Sequence, residues 1–451
     1  MNRLGTYYHE GLIGSYYKVR KVYIPISSFQ PFYNGRRTPL SEVPNTLGKK
    51  LKTVLTSLTR GFPSSIEWWY GHALANPEVG HKILYHTAGE NKIDIRSQEF
   101  LKFIPAGRKL GDLGVVFVFS KNDPTFTATG SGIPTLSLSI HLPTQEESFI
   151  KTKEFSLEEY TAATDRCNVH LGKSYIEYLE GPCYKVHIQG RDDKDREVKL
   201  ELFFEAEAEG LLFSSDKVFK NKKDTRHLNY LMAVPRGDIL HLVVKVGDWT
   251  FETADGEVWH DHNWSDIAAY FGVKFWDWSA MLSPDLSLVL SYVKGREMHG
   301  GRELGLFGKT EKGKAHQSLA TNEELLVSYK SWQKYEGFDY PDKIEWRGPN
   351  FNLTFTSKKV LELIDHYAKL VKQNKLAALL FKLVFGARGK KAGYIRTVGK
   401  LTGVLDGKEI AGTMVHEHLN FHLRYQQIER SLFELGVFSF LSRLPIIGEV
   451  F

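Results

Sequence analysis

Cysteine is nearly missing from this chain: Cys167 and Cys183 are the two present among 451 residues. A disulfide framework is thereby excluded, neither residue sits in a C-x-x-C pair, and a reducing compartment is the simplest setting. No run of about 18 apolar residues occurs, so no spanning helix is expected. The opening stretch, MNRLGTYYHEGLIGSYYKVRKVY, lacks the apolar core of a secretory signal, and a cytoplasmic location is expected. Strong chemical signatures are missing too. There is no G-x-S-x-G elbow and no Ser-His-Asp order. The Gly-Ser-Gly at 130–132 lacks the strand–loop–helix context of a phosphate loop, and the Arg-Gly-Asp at 236–238 reads as a turn. No cofactor is expected.

Excess charge is also scarce, except at one end. Residues 1–60 hold ten Lys/Arg against two Asp/Glu, whereas the rest of the chain holds 49 against 51. The basic segment reads either as a solvated extension or as a contact for an anionic surface. Lipid headgroups suit that contact better than nucleic acid, since no nucleic-acid recognition motif accompanies the charge. Peripheral attachment to a membrane surface is the corresponding expectation.

What the chain does have is aromatic residues, 28 Phe, 21 Tyr and 9 Trp, which favour β structure or a large apolar pocket. Period-two alternation runs through it. In EVKLELFFEAEAEG, Val198, Leu200, Leu202, Phe204, Ala206 and Ala208 fall on one face, and Glu197, Lys199, Glu201, Glu205 and Glu207 on the other. TLSLSIHLP, LHLVVKVGDWTFET, LSLVLSYVKG and FNLTFTS also read as strands, with turn residues between them. The fold class is therefore mainly β, as sandwiches or barrels. One segment, 357–391, breaks the pattern. Its spacing of Val360, Leu363, Ile364, Tyr367, Leu370 and Val371 predicts a helix, and seven Lys/Arg with no acid follow from Lys369 to Lys391. This basic helical insert and the apolar tail 431–451 would either pack on the β walls or meet a membrane or pocket mouth.

The chain also repeats itself. Gly247, Gly256, His260 and His262 recur as Gly403, Gly412, His416 and His418, each pair 156 residues apart. An acid lies between the histidines in both copies, Asp261 and Glu417. EWWYGHALANP (67–77) is loosely echoed by FWDWSAMLSPD (275–285). Two related β domains follow, each opening on an aromatic strand and ending on H-acid-H. The expected division is a basic extension over 1–60, a first β domain over 61–265, and a second over 266–451 that carries the insert and the tail.

IEWWYGHAL, YLMAVPRGDILHLVVKVGDWTFETADGEVWHDHNW and GYIRTVGKLTGVLDGKEIAGTMVHE occur in that order. Together they resemble the carotenoid 1,2-hydratase (hydroxyneurosporene synthase) and AttH group over roughly 60–450. Fungal decalin-forming Diels–Alderases and tocopherol cyclase are more distant in likeness. Ser265 stands where the group usually has Gly after H-D-H-N-W. The resemblance implies two tandem lipocalin-like (calycin) β-barrel domains and chemistry on a hydrophobic polyene or isoprenoid without a redox cofactor. Hydration by a lyase, and cyclisation or isomerisation of a terpenoid, are the reactions implied. Two alternatives stay open: a non-catalytic lipid or isoprenoid carrier, and a pericyclase.

Alkene protonation needs a carboxylic acid that burial keeps protonated, and aromatic faces for the cation. The candidate catalytic residues are Asp261, Glu67, His260 and His262. Candidate substrate-binding residues are Trp68, Trp69, Tyr70, Trp259, Asn263, Trp264, Trp276 and Trp278. Strand geometry sets Trp259, Asp261 and Asn263 on one face and His260, His262 and Trp264 on the other, so only one set faces a barrel interior. A structural polar knot is the competing reading of this triplet, and Glu67 reads equally as a buried partner of a histidine. His416, His418 and His422 offer metal-ligand types, yet no complete ligand set is evident in sequence, and no metal is expected.

Overall fold

Two large antiparallel sheets, one after the other along the chain, dominate the computed structural model. It describes residues 32–33, 36–37, 66–86, 91–122, 133–163, 166–214, 228–265, 273–295, 303–314, 318–320, 325–365 and 393–420. The first large sheet is built from strands between Ile66 and Ser265, and the second from strands between Val273 and Asn420. Among the described residues, helix is confined to Gln98–Leu101 and to 3-10 turns at Pro77–Val79 and Leu157–Glu159. Both sheets curl into half-barrels, a tandem lipocalin-like arrangement.

The sheets share a topology. In each, the first strand pairs with the last: Ile66–Ala75 with Glu257–Ser265, and Val273–Ser283 with Lys408–Asn420. The H-acid-H triplets lie on these two last strands at matching register. His260 sits opposite Gly71 and Asp261 opposite Tyr70 in the first sheet; His416 sits opposite Ser279 and Glu417 opposite Trp278 in the second. The echo of EWWYG in FWDWS is thus a structural equivalence, with Trp69 matched to Asp277 and Tyr70 to Trp278.

Alternation decides what each strand buries. Along Glu197–Ala206, Val198, Leu200, Leu202, Phe204 and Ala206 are buried, while the glutamates between them are exposed or half-buried. Successive residues of Ile66–Ala75 divide likewise: Trp69 and Ala73 enter the core enclosed by the first sheet, and Tyr70 and Leu74 enter a separate cluster. That separate cluster joins Tyr70, Met232 and Trp259 of the first sheet to Trp278, Leu282 and Val415 of the second. It is the junction between the two sheets. The second sheet encloses its own core, around Trp346, Leu353 and Phe355.

The helix expected over 357–391 is corrected for its first nine residues. Phe351–Asp365 is one long strand paired with Gly393–Leu405. Its register shifts between Ser357 and Lys359 and again between Val360 and Glu362. Each shift advances the alternation by one residue. Apolar positions therefore fall at 360, 361, 363 and 364, a spacing that mimics a helix. The remainder of the insert, the tail 431–451, and most of the basic segment 1–60 lie outside the described residues. Within 1–60 a short strand pair, Phe32–Tyr33 with Arg36–Arg37, is described. No helix among the described residues is long and apolar enough to cross a membrane.

Candidate active site at the junction of the two sheets

The last strand of the first sheet splits its polar residues between two environments. His260 and His262 point into the first core. His260 Nδ1 bonds the carbonyl of Tyr70 at 2.7 Å, and its ring meets Tyr184 edge-on at 5.3 Å. His262 stacks on Trp69 at 4.6 Å and pairs through Nε2 with Glu67 Oε1 at 3.0 Å. Trp259, Asp261 and Asn263 point the other way, to the junction. Of the two faces offered by strand geometry, the histidines take the barrel interior and Asp261 takes the junction. Glu67 and Trp69 therefore lie on the opposite face of the sheet from Asp261, and the fold does not bring Glu67 and Asp261 together.

Asp261 is 2% exposed, and three donors of its own sheet surround it. Trp259 Nε1 donates to Oδ2 at 3.0 Å, Asn263 Nδ2 to Oδ1 at 2.6 Å, and the Tyr230 hydroxyl to Oδ2 at 3.4 Å. Burial pushes the carboxyl up to about 8, against the opposing pull of the Trp259 hydrogen bond. The nearby Glu417 carboxylate pushes in the same direction as burial. The protonated acid fits the same contacts: turning the Asn263 amide over presents its oxygen to a carboxyl O–H.

The second sheet completes the site. Trp278 Nε1 donates to the Tyr230 hydroxyl at 2.9 Å. The Trp278 ring meets Tyr70 edge-on at 4.8 Å and Trp259 at 6.1 Å. Trp68 stacks with Trp276 at 6.1 Å. The Arg396 guanidinium lies 5.5 Å from the Tyr70 ring centre and is held by Glu417 at 2.9 Å, Glu362 at 2.8 Å and the Tyr394 hydroxyl at 2.8 Å. Two buried polar atoms of the same face have no hydrogen-bond partner among the described residues, the Tyr70 hydroxyl and His72 Nδ1. Burial, with the Arg396 charge adding to it, lowers His72 to about 3, so this imidazole stays neutral.

Of the sequence candidates, the fold gathers Asp261, Asn263, Trp259, Trp68, Tyr70, Trp276 and Trp278 at the junction. His260, His262, Glu67 and Trp69 form a separate group inside the first sheet. The side chain of Trp264 lies outside the described residues. Sequence reasoning missed Tyr230, Arg396 and Glu362. Tyr230 and Arg396 stand inside two of the quoted motif segments, but no spacing rule links them to Asp261. Glu417 was visible only as the counterpart of Asp261. The turn expected at Arg-Gly-Asp 236–238 is corrected: these residues lie within the strand Leu228–Val246, and the role of Arg236 was missed. Arg236 is fully buried, pairs with Glu207, and donates to the carbonyls of Ser283 and Pro284 in the second sheet. It ties the sheets together beside the site.

No protein-family model matches the chain, and no curated protein matches it in sequence. Solved structures do. A protein from Nitrosomonas europaea, provisionally named AttH, superposes with a TM-score of 0.50 at 15% identity, over 80% of this chain and 94% of that one. Kievitone hydratase from Nectria haematococca matches with a TM-score of 0.48 at 10% identity, over 79% and 89%. CghA bound to Sch210972 matches with a TM-score of 0.44 at 8% identity, over 79% and 89%. The first of these likenesses shows an AttH-like fold.

Proposed function

We propose that the protein is an enzyme that protonates an alkene of a hydrophobic polyene or isoprenoid, with Asp261 as the acid and the aromatic junction as the binding site. The observation that carries this reading is a carboxyl buried among indole and phenol rings and held protonated to about pH 8. The Tyr70 hydroxyl and His72 Nδ1, which have no partner among the described residues, support it, because buried polar atoms normally bond to something, and a substrate oxygen or water would supply that here. The motif resemblance to carotenoid 1,2-hydratases favours the same substrate class.

The step balances without a cofactor. The Asp261 proton passes to one alkene carbon, the π pair forms the new C–H bond, and a carboxylate is left beside a cation on the neighbouring carbon. The faces of Trp259, Trp278 and Tyr70 stabilise that cation by about 0.5–2 kcal/mol per well-placed ring. In hydration, a water near Tyr70 adds through oxygen and its surplus proton returns to Asp261. In cyclisation or isomerisation, an internal group or proton loss quenches the cation, and Asp261 again recovers its proton. Lyase and isomerase chemistry thus share one site. The basic segment 1–60 is proposed to bring the protein to an anionic membrane surface, where such substrates reside.

A second reading rests on the three donors around Asp261. They satisfy most of its acceptor capacity, as in a structural knot, and the junction would then bind a hydrophobic ligand without turning it over, or hold a polyene in a reactive shape for a pericyclic step. Organic extraction of the purified protein followed by mass spectrometry identifies the ligand class. Single-turnover rates on that compound for wild type and Asp261→Asn, against pH, then separate the readings. The acid predicts near-total loss of turnover with binding and Tm retained. A pericyclase predicts a reduced rate with little pH dependence. Wild-type rates in Asp261→Asn at every pH would remove Asp261 as the acid.

A further inference from the structure

Inside the second sheet, away from the junction, Asp277, His416 and His418 converge. Their ligand atoms all lie within 4.8 Å of one another, and all three side chains are buried. His418 Nδ1 is 2.7 Å and His416 Nε2 3.3 Å from the same oxygen, Asp277 Oδ1. His422, the further histidine that the sequence offers, lies outside the described residues. The fold supplies a third ligand, because Asp277 lies directly opposite His418 on the neighbouring strand. From these positions we infer that Asp277, His416 and His418 form a binding site for a divalent first-row transition metal, independent of the acid at the junction.

Three observations carry the assignment. First, two of the three ligands are backed by a second group. Ser279 Oγ bonds His416 Nδ1 at 2.9 Å, and the Tyr329 hydroxyl donates to Asp277 Oδ2. Such outer contacts orient ligands, and a hydroxyl matches either tautomer of the ring. Second, the donor set is two imidazoles and one carboxylate with no sulfur, which suits Zn2+ or Fe2+ and leaves further coordination positions for water or a substrate oxygen. With metal–ligand bonds of about 2.0–2.2 Å, ligand atoms of a tetrahedral site stand roughly 3.3 Å apart. The His416 contact already has that separation, and His418 needs to withdraw by roughly half an ångström.

Third, the two copies use their carboxylates differently. The residue matched to Asp277 in the first sheet is Trp69, which stacks on His262, and the buried carboxylate there, Glu67, pairs with His262 at 3.0 Å while His260 bonds the Tyr70 carbonyl. In the second sheet a single oxygen, Asp277 Oδ1, lies within 3.3 Å of both histidines and draws them to one point. The site lies beneath Trp332, whose ring meets His418 edge-on at 5.6 Å and which is itself 46% exposed. That gives an ion a short route from solvent.

The test uses the full chain, stripped with a chelator and titrated with Zn2+ alone by calorimetry, and with Co2+ alone by visible absorption. One equivalent of each is expected. Asp277→Asn and His416→Gln should each weaken zinc binding by about 100-fold or more, beyond the 10–100-fold typical of losing an outer contact. Tyr329→Phe, a milder change, should cost about tenfold. Glu67→Gln, in the first sheet, should leave the stoichiometry and affinity unchanged. Circular dichroism of each variant establishes that it is folded, and Tyr329→Phe serves if Asp277→Asn is not. Failure to bind either ion at one equivalent overturns the site. So does zinc binding that persists at wild-type affinity in folded Asp277→Asn, His416→Gln or Tyr329→Phe.

Discussion

The indole N–H of Trp278 donates to the hydroxyl of Tyr230 at 2.9 Å, and this bond passes from the second sheet to the first. Tyr230 in turn donates to Asp261 at 3.4 Å. The candidate acid of one sheet is therefore wired to the aromatic strand of the other. Neither sheet alone contains the site.

Tyr230→Phe cuts this wire. The Trp278 N–H is left buried without its acceptor, at a cost of about 1–3 kcal/mol in urea unfolding. The Tyr230 hydrogen bond holds the Asp261 carboxyl down. Its loss moves that group further up, so the fall of activity at high pH should shift to still higher pH. A pH–rate profile beside the unfolding curve checks both.

Asp261→Asn should change how stability depends on pH. In the wild type the unfolded carboxyl ionises near pH 4 and the folded one near 8. The stabilisation this group contributes by staying neutral in the fold is complete below about pH 4 and is lost as pH rises toward 8. The amide cannot ionise, so the variant should lose less stability than wild type between those values. Tm measured from pH 4 to 9 gives the comparison. Parallel curves would refute the raised carboxyl.

Arg396 is 2% exposed and pairs with two carboxylates, Glu417 and Glu362. Arg396→Met strands both, and about 3–5 kcal/mol of stability should be lost. Adding Glu417→Gln and Glu362→Gln to that variant should recover part of the loss. If the triple variant is no better than the single, the ion network is not the cause.

The matched glycines of the two copies should differ in tolerance. Gly256 has φ +133°, and an added Cβ would lie 2.5 Å from the Leu74 carbonyl oxygen, a backbone atom that cannot yield. At Gly412 the nearest atom would be the Met281 sulfur at 2.6 Å, on a flexible side chain. Gly256→Ala should therefore cost several times more stability than Gly412→Ala, read as the difference in urea midpoints at a common m-value.

Much of the fold was legible because a strand writes itself into sequence with a period of two, as Glu197–Ala206 does. The repeat was legible because His260, His262, His416 and His418 keep a common offset of 156. The stretch from Ser357 to Asp365 was misread for a physical reason. Two register shifts there break the alternation, and a bulged strand and a short helix then place apolar residues alike.

The sequence by itself determined the elements and their faces: local φ/ψ preference and alternation act over a few residues, so Asp261 had to oppose its flanking histidines. Which face met which environment was decided only by tertiary structure. That choice depends on pairing strands nearly 200 residues apart, Ile66–Ala75 with Glu257–Ser265, and on a second sheet closing over the outer face. The same long-range pairing placed Asp277 against His418, Tyr230 against Trp278, and Arg396 over Tyr70. Each of these contacts joins residues at separations that no local pattern encodes, because burial and charge pairing act on distance in space and not on distance along the chain.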